Sequence, residues 1–206
     1  MIDRVITHGT FSLDGGTWEV DNNVWLVGDA REVVVIDAAH DAAAIAERVG
    51  PRQVRAIICT HAHNDHINAA ADLAARTGAP IRLHPADQEL WSQVYGEAES
   101  YTPLADGEKI EVGGIALEVI HTPGHAPGAV CLYAPDRGVL FSGDTLFNGG
   151  PGATGRSFSS FDTIIESLRE RILTLPPDTV VHTGHGDSTS IGSEAAHLQE
   201  WVKRGY

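Results

Sequence analysis

The sequence of 206 residues predicts a mixed α/β fold in which two mixed β-sheets pack face to face and helices cover both outer faces. This arrangement is a four-layer αββα sandwich. Two observations favour it: strand-like apolar segments dominate both halves of the chain, and a helical segment closes each half. No linker-like stretch divides the halves, so we expect residues 1–206 to form a single domain.

The composition is typical of a soluble globular protein, with 42% hydrophobic and 20% charged residues. The net charge of −14 argues against nucleic acid or an anionic membrane as the main partner, because phosphate binding needs clustered Lys and Arg. Residues 1–6 lack the features of a signal peptide, and no apolar run is long enough to span a bilayer. Cys59 and Cys131 lie in apolar runs, so we expect buried, reduced thiols and a cytoplasmic protein.

The first half is predicted to be rich in strands. Asp14-Gly15-Gly16 is a strong turn signal between two of them, and the apolar run 32–37 is typical of a strand buried on both faces. Asp41 is a candidate N-cap for the first helix. The predicted strands span residues 5–7, 11–13, 17–20, 23–27, 32–37, 54–60 and 81–83. The predicted helices span residues 42–49, 67–76 and 86–95.

The second half repeats this pattern. We expect segment 96–107 to be an exposed connection and the Gly-rich segment 143–157 to be a long loop, because neither shows a regular hydrophobic period. A turn at Gly113-Gly114 predicts a hairpin. The predicted strands span residues 109–112, 115–120, 129–133, 139–142 and 179–182. The predicted helices span residues 162–173 and 194–203.

A dense group of metal-ligand residue types follows strand 54–60, namely His61, His63, Asp65 and His66. Imidazole and carboxylate suit zinc and its first-row neighbours. In an extended loop, residues two apart point the same way, so His61 and His63 can bind one ion together. Asp65 and His66 come where the chain enters a helix and can point to a neighbouring position. The motif therefore favours two ions.

Further candidate ligands lie in Gly-containing loops directly after later strands. His125 lies in Thr122-Pro123-Gly124-His125, Asp144 in Ser142-Gly143-Asp144-Thr145, and His185 in Thr183-Gly184-His185-Gly186. Glycine beside a ligand lets the backbone turn sharply and approach an ion closely. A carboxylate has two oxygens, so Asp144 can bridge two cations. The predicted ligands are His61, His63 and His125 for the first ion, Asp65, His66 and His185 for the second, and Asp144 for both.

Other residues receive supporting roles. Asp37 ends a buried strand, and because a buried carboxylate needs a partner, we expect it to orient a ligand histidine. We expect His121 and His182 to pack or hydrogen-bond near the site without binding an ion, whereas the pattern does not decide the roles of His40 and His84. The candidates for lining the substrate cleft are Trp18, Tyr101, Phe147 and Arg156.

These motifs resemble those of the metallo-β-lactamase superfamily across nearly the whole chain. The resemblance is carried by Thr60-His61-Ala62-His63-Asn64-Asp65-His66 and by Thr122-Pro123-Gly124-His125, Gly143-Asp144-Thr145-Leu146-Phe147 and Gly184-His185-Gly186. Within the superfamily the sequence looks most like the glyoxalase II group, the hydroxyacylglutathione hydrolases, particularly short bacterial forms. The resemblance implies an αββα fold with a dinuclear site at one edge, the same ligands, and two divalent ions, with zinc expected first and iron or manganese as alternatives.

Two departures narrow the expected substrate. In the lactamases that name the superfamily, the position matching Asp144 is typically a cysteine, which argues against antibiotic hydrolysis. The longer glyoxalase II enzymes carry a C-terminal helical domain that helps to bind glutathione. Here only residues 186–206 follow His185, so we do not expect glutathione specificity to carry over.

The functional hypothesis is a dinuclear metal-dependent hydrolase that cleaves a small-molecule thioester of a low-molecular-weight thiol. In this hypothesis Asp65 and Asp144 also act in catalysis by steering a proton. One alternative is a persulfide dioxygenase, which keeps a similar ligand pattern but uses one iron. A second is a non-catalytic metal-binding module, which the lack of thiolate ligands disfavours. The sequence does not specify the acyl group, the thiol carrier or the oligomeric state.

Overall fold

In the computed structural model, which describes residues 1–205, six strands build the first sheet. Strands β1 to β3 pair antiparallel and β3 to β6 pair parallel, so the sheet is mixed. The strands lie in sequence order in the sheet: β1 (Ile2–Leu13), β2 (Gly16–Gly28), β3 (Glu32–Ile36), β4 (Gln53–Ile58), β5 (Ile81–Leu83) and β6 (Thr102–Pro103).

The second sheet is also mixed. Its strands are β7 (Lys109–Val112), β8 (Ile115–His121), β9 (Val130–Ala134), β10 (Val139–Gly143), β13 (Val180–Thr183) and β14 (Thr189–Ser190), and β11 (Leu146–Phe147) with β12 (Gly150–Pro151) forms a separate ribbon. The order in the sheet is β14-β13-β10-β9-β8-β7. Strands β10 and β13 pair parallel, and the other neighbours pair antiparallel.

Seven α-helices complete the described part of the chain, and none of the helices there is long and apolar enough to cross a membrane. They are α1 (Ala42–Val49), α2 (Asn64–Ile67), α3 (Ala70–Thr77), α4 (Gln88–Tyr95), α5 (Phe161–Ser167), α6 (Ile191–Ala195) and α7 (Leu198–Arg204). Asp41 caps α1 as predicted, because its side chain accepts from the Ala43 and Ala44 N–H groups at 3.0 and 2.9 Å.

Alternation along the strands divides the apolar side chains among three cores, which confirms the four-layer prediction. Val34 and Ile36 of β3 face the inner core between the sheets, together with Phe141 of β10. The alternate residues Val33 and Val35 face the outer core under α1, α3 and α4. On the other sheet, alternate residues such as Leu140 and Cys131 pack in a third core under α5, α6 and α7.

Both cysteines are completely buried and unpaired, as expected, and they lie in different cores. Cys59 belongs to the outer core of the first sheet and Cys131 to the outer core of the second. Burial raises the pKa of the Cys131 thiol to about 11 and holds that of Cys59 well above its usual range.

Several element boundaries differ from the predictions. The predicted N-terminal pieces merge into the long hairpin β1–β2, whose exposed positions carry polar residues such as His8 and Asp21, so that apolar content marks only part of each strand. The helix predicted at 67–76 is divided into α2 and α3, and the one predicted at 162–173 ends in a π-helical turn, Leu168–Ile172. The predicted final helix is α6 followed by α7. Segment 96–107, predicted to be an exposed connection, contains β6. Segment 143–157, predicted to be a long loop, contains the β11–β12 ribbon.

Candidate metal centre

The seven predicted ligands meet at one edge of the sandwich, where strands of both sheets end. His61 and His63 lie in the loop after β4, and Asp65 and His66 lie in α2. The other three come from the second sheet, in the segments that follow β8, β10 and β13. They are His125, Asp144 and His185. The site therefore joins both halves of the chain.

In the first ligand group, three imidazole nitrogens converge. His63 Nδ1 lies 3.1 Å from His61 Nε2 and 3.0 Å from His125 Nε2, and all three side chains are buried. His125 Nδ1 donates to the Ala153 carbonyl at 2.8 Å. Thr60 Oγ1 donates to Asp37, so it accepts from His61 Nδ1 at 3.1 Å. Both Nε2 atoms therefore present lone pairs to the centre, which suits a cation.

In the second ligand group, a carboxylate joins two imidazoles. His185 Nε2 lies 3.1 Å from His66 Nε2 and 3.3 Å from Asp65 Oδ2. Each ring is held from its far side: His66 Nδ1 donates to Asp37 Oδ2 at 3.0 Å, and His185 Nδ1 donates to the Asp21 carbonyl at 2.7 Å. Asp37 thus orients a ligand histidine, as the sequence predicts.

Asp144 lies between the two groups. Its Oδ2 is 3.6 Å from His125 Nε2 of the first group and 3.4 Å from His185 Nε2 of the second, while its Oδ1 is 3.4 Å from His66 Nε2. The Oδ1 atoms of Asp144 and Asp65 are buried and have no hydrogen-bond partner, and neither does His63 Nε2. Because unpaired buried carboxylate oxygens are costly, this donor set fits two bound cations.

The electrostatics divide the histidines into two kinds. Burial lowers the pKa of His61 well below its usual range and that of His63 to about 3, so both rings are neutral and ready to bind a cation. Burial alone would lower the pKa of His185, but the Asp144 carboxylate raises it to about 10. Burial would likewise raise the pKa of Asp144, but His66 and His185 hold it well below its usual range. The two carboxylates beside the second group therefore attract positive charge, which can be carried by protons on the imidazoles or by cations.

Two glycines permit these close approaches. Gly143 has a φ of 49°, and a Cβ there would lie 2.3 Å from Thr60 Oγ1. A Cβ on Gly184 would lie 2.3 Å from Asp144 Oδ1 and 2.8 Å from His66 Cε1. Glycine beside the ligands thus has the steric role that the sequence predicts.

Two supporting residues were not identified from the sequence. Asp87 is buried, and its carboxylate accepts hydrogen bonds from the Ala62 N–H at 2.8 Å and from the Gly128 N–H. Asn22 is completely buried, and its Nδ2 donates to Asp65 Oδ2 at 3.2 Å. Both are polar residues within otherwise ordinary segments, so only their burial marks them, and burial of a single polar side chain is not visible in sequence alone.

A cavity of about 210 Å³ opens over the ligands. Its apolar walls come from Phe11 and Val20 of the N-terminal hairpin and from Phe147 and Ala153 of the Gly-rich segment. The hairpin is fastened to α2, because Asn64 accepts from the Ser12 N–H at 2.7 Å and donates to the Thr10 carbonyl at 2.8 Å. The cavity is therefore walled by elements of both halves.

The predicted cleft residues have different positions. Phe147 lines the cavity, whereas Trp18 does not line it but stacks on Phe11, which does, with ring centroids 5.7 Å apart. The Arg156 guanidinium lies 3.9 Å from the Trp18 ring centroid. Tyr101 packs against Trp91 instead and donates to Gln88 Oε1 at 2.6 Å, so its predicted place in the cleft is wrong.

His121 and His182, predicted to pack or hydrogen-bond near the site, contact groups outside the two ligand groups. His121 stacks on His84 with ring centroids 4.0 Å apart and contacts the Pro127 carbonyl, and His182 stacks on Trp25 at 4.2 Å. His40 contacts Asn22 and Asn68. Among the described residues, the groups able to hold an ion contain only the seven predicted ligands.

The αββα fold and its edge cluster of histidines and aspartates define a metallo-hydrolase type of protein. The family model described as the metallo-beta-lactamase superfamily matches residues 17–185, so the chain belongs to that superfamily.

Among curated relatives, the chain is 36% identical to "Probable metallo-hydrolase YqgX" of Bacillus subtilis, over 68% of this chain and 72% of the relative. It is 30% identical to "Hydroxyacylglutathione hydrolase GloC" of Haemophilus influenzae, over 81% of this chain and 85% of the relative.

Solved structures are also similar to this chain. TTHA1623 in a di-iron-bound form is 33% identical, with a TM-score of 0.77 and coverage of 85% of this chain and 93% of that one. ETHE1 from Myxococcus xanthus is 24% identical, with a TM-score of 0.74 and coverage of 98% and 89%. At that identity, the likeness to ETHE1 shows the fold alone.

Proposed function

We propose that this protein is a dinuclear metal-dependent hydrolase that cleaves thioesters of a low-molecular-weight thiol in the cytoplasm. The observation that carries the proposal is the meeting of two ligand groups at one carboxylate, Asp144, beneath a small cavity. The substrate class is supported by the relative named hydroxyacylglutathione hydrolase. The use of two ions is supported by the similar structure described as di-iron-bound, and zinc, iron and manganese all suit these donors.

The two ligand groups would each hold one ion, and Asp144 would be available to both groups. Two divalent ions, when bound, would supply Lewis acidity for the carbonyl group and lower the pKa of a bound water to about 7. Asp65 and Asp144 both line the cavity. One of these carboxylates accepts a proton from water as the C–O bond forms, and the C–S bond then breaks. The proton passes to the leaving thiolate, so the products are a carboxylic acid and a thiol.

The size of the cavity supports a small acyl group. Its volume of about 210 Å³ is below the roughly 300–1,000 Å³ of clefts that enclose a drug-sized ligand. Phe11 and Phe147 therefore enclose the acyl group and exclude bulk water, and the thiol carrier lies outside, along the rim. There Arg156, held over Trp18, is placed to pair with a carboxylate of the carrier.

The test is a substrate panel on protein purified with its metals. Metal content is quantified, and thioesters of glutathione, mycothiol and coenzyme A are assayed for release of thiol. Glutathione persulfide is assayed in parallel with an oxygen electrode. We expect two ions per chain and turnover of at least one thioester. Oxygen consumption with the persulfide and no thioester turnover would favour the one-iron dioxygenase, and no turnover of either would favour a binding module.

The Asp144→Ala variant tests the shared ligand. Because this carboxylate contacts residues of both groups, its loss is expected to lower the metal content and abolish turnover together. The matched control is Asp178→Ala, which removes an exposed carboxylate outside the site and should keep both properties. Full activity with unchanged metal content in the Asp144→Ala variant would refute the bridging role.

A further inference from the structure

A chain of hydrogen bonds leads from α2 and α3 to the second ligand group, and its direction is fixed at one end. The His40 backbone N–H can only donate, and it donates to Asn68 Oδ1 at 2.7 Å. The other amide atom, Asn68 Nδ2, therefore faces His40 Nδ1, at 3.0 Å. Since an amide nitrogen only donates, His40 Nδ1 is the acceptor and carries no proton.

The donor and the acceptor of the next two hydrogen bonds follow in the same way. With Nδ1 unprotonated, the neutral His40 ring carries its proton on Nε2, which donates to Asn22 Oδ1 at 2.8 Å. This bond orients the Asn22 amide, so its Nδ2 faces the second ligand group and donates to Asp65 Oδ2 at 3.2 Å. Asn22 and Asp65 are both buried, with 0% and 2% of their surface exposed, so water does not compete for the hydrogen bond between them.

The fold accepts strain to place the His40 ring. His40 has a φ of 60°, a left-handed conformation that is strained for a non-glycine residue. The ring also lies against Gly9, where a Cβ would come within 2.2 Å of His40 Nδ1. A ring held in this way, with both nitrogens engaged, has one donor direction and one acceptor direction.

We propose that His40 and Asn22 are positioning residues for the second ion. Together with Asn68 they form a directed relay that keeps an N–H on Asp65 Oδ2 and holds the carboxylate where it meets His66 and His185. The relay fixes the ligand before an ion arrives, because none of its links needs an ion. This inference rests on the two-ion site of the proposed function, but it does not depend on the substrate.

The first test measures the His40 tautomer in the metal-free protein and needs no activity. Long-range proton–nitrogen NMR at neutral pH, with His40 assigned by its absence in the His40→Asn variant, distinguishes the two neutral forms. The relay requires the proton on Nε2 and an unprotonated Nδ1. A proton on Nδ1 would reverse the direction of the chain and overturn the proposal, whatever the protein hydrolyses.

The second test measures stepwise Zn²⁺ affinity by competition with a chromophoric chelator. His40→Asn is the informative variant, because asparagine tolerates the left-handed backbone but is too short to join Asn68 to Asn22. We expect the second dissociation constant to weaken about 10–100-fold while the first stays unchanged. His40→Gln, whose amide both accepts and donates, should lose less affinity.

The matched control is His197→Asn, which alters an exposed histidine that contacts Glu200 and is not a candidate ligand. Equal weakening of both ions, or none, in the His40→Asn variant would refute the positioning role. Equal loss in His40→Gln and His40→Asn would refute the relay specifically. A wild-type protein that binds one Zn²⁺ would instead refute the two-ion site, while the NMR measurement would still decide the direction of the relay.

Discussion

Replacing Asp87 with asparagine removes a buried charge but keeps the shape of the side chain. Asp87 bridges two loops of the first ligand group, because Ala62 lies between two ligand histidines and Gly128 lies three residues after His125. No cation faces this carboxylate among its hydrogen-bond partners. The carboxylate therefore holds the loops together at a cost in folding free energy, and the substitution separates the two effects.

The cost of burying the Asp87 carboxylate depends on pH, and its size follows from the raised pKa. Burial raises the pKa of Asp87 from its ordinary 3.8 to about 6, so the folded state binds the proton more tightly than the unfolded state. The contribution of this group to stability is therefore present below pH 3.8 and is lost as the pH rises through about 6. The full loss is ~3 kcal/mol, of which about 2 kcal/mol falls between about pH 4.5 and about pH 7.5.

The asparagine variant lacks this titration. Its amide leaves one of the two backbone N–H groups without an acceptor, which costs about 1–3 kcal/mol at every pH. The free energy of unfolding of both proteins is measured with urea in the presence of a chelator. Between about pH 4.5 and about pH 7.5, the value for the variant should rise by about 2 kcal/mol relative to that of the wild type. A difference in unfolding free energy that does not change with pH would refute the cost of the buried charge. Unchanged affinity for the first Zn²⁺ would refute the bridging role.

Two other predictions concern the rim and the ions. Arg156→Gln should raise KM for an anionic thioester about fivefold, the equivalent of ~1 kcal/mol for an exposed ion pair, and leave kcat unchanged. A neutral thioester is the control, and an equal rise in its KM would contradict pairing with a carboxylate. Removal of the ions by a chelator should lower Tm by about 5–10 °C for each site that had been held at about a hundredfold excess over its Kd. Calorimetry measures the shift, and an unchanged Tm would show that the ions do not bind the folded state preferentially.

The candidate ligands are visible in the sequence because they are concentrated in short motifs directly after strands. Four of the candidate ligands lie within the six consecutive residues 61–66. Gly124, Gly143 and Gly184 directly precede the other three in the sequence. The two-sheet architecture was equally visible, since apolar runs such as β3 and β10 are strongly patterned. Local chemistry and hydrophobic pattern together thus give the fold and the proposed ligand set.

The supporting residues could not be predicted, because their roles arise from register and topology. Asn22 reaches Asp65 only because β2 runs beside the edge where α2 begins, and the two are 43 residues apart in sequence. His40 needs a left-handed backbone conformation, which no sequence motif predicts. Asp87 joins two loops that belong to different sheets. Each link depends on long-range packing and therefore appears only in three dimensions.

The separation of both cysteines from the cluster has a consequence for the redox behaviour of the protein. The candidate ligands are nitrogen and oxygen donors, and Cys59 and Cys131 are enclosed in two apolar cores with raised pKa values. Thiol–disulfide exchange needs an accessible thiolate, and neither cysteine provides one. A thiol released in the cavity, or its oxidised disulfide, would therefore meet no sulfur with which to form a mixed disulfide. The protein would therefore form no mixed disulfide with its own product.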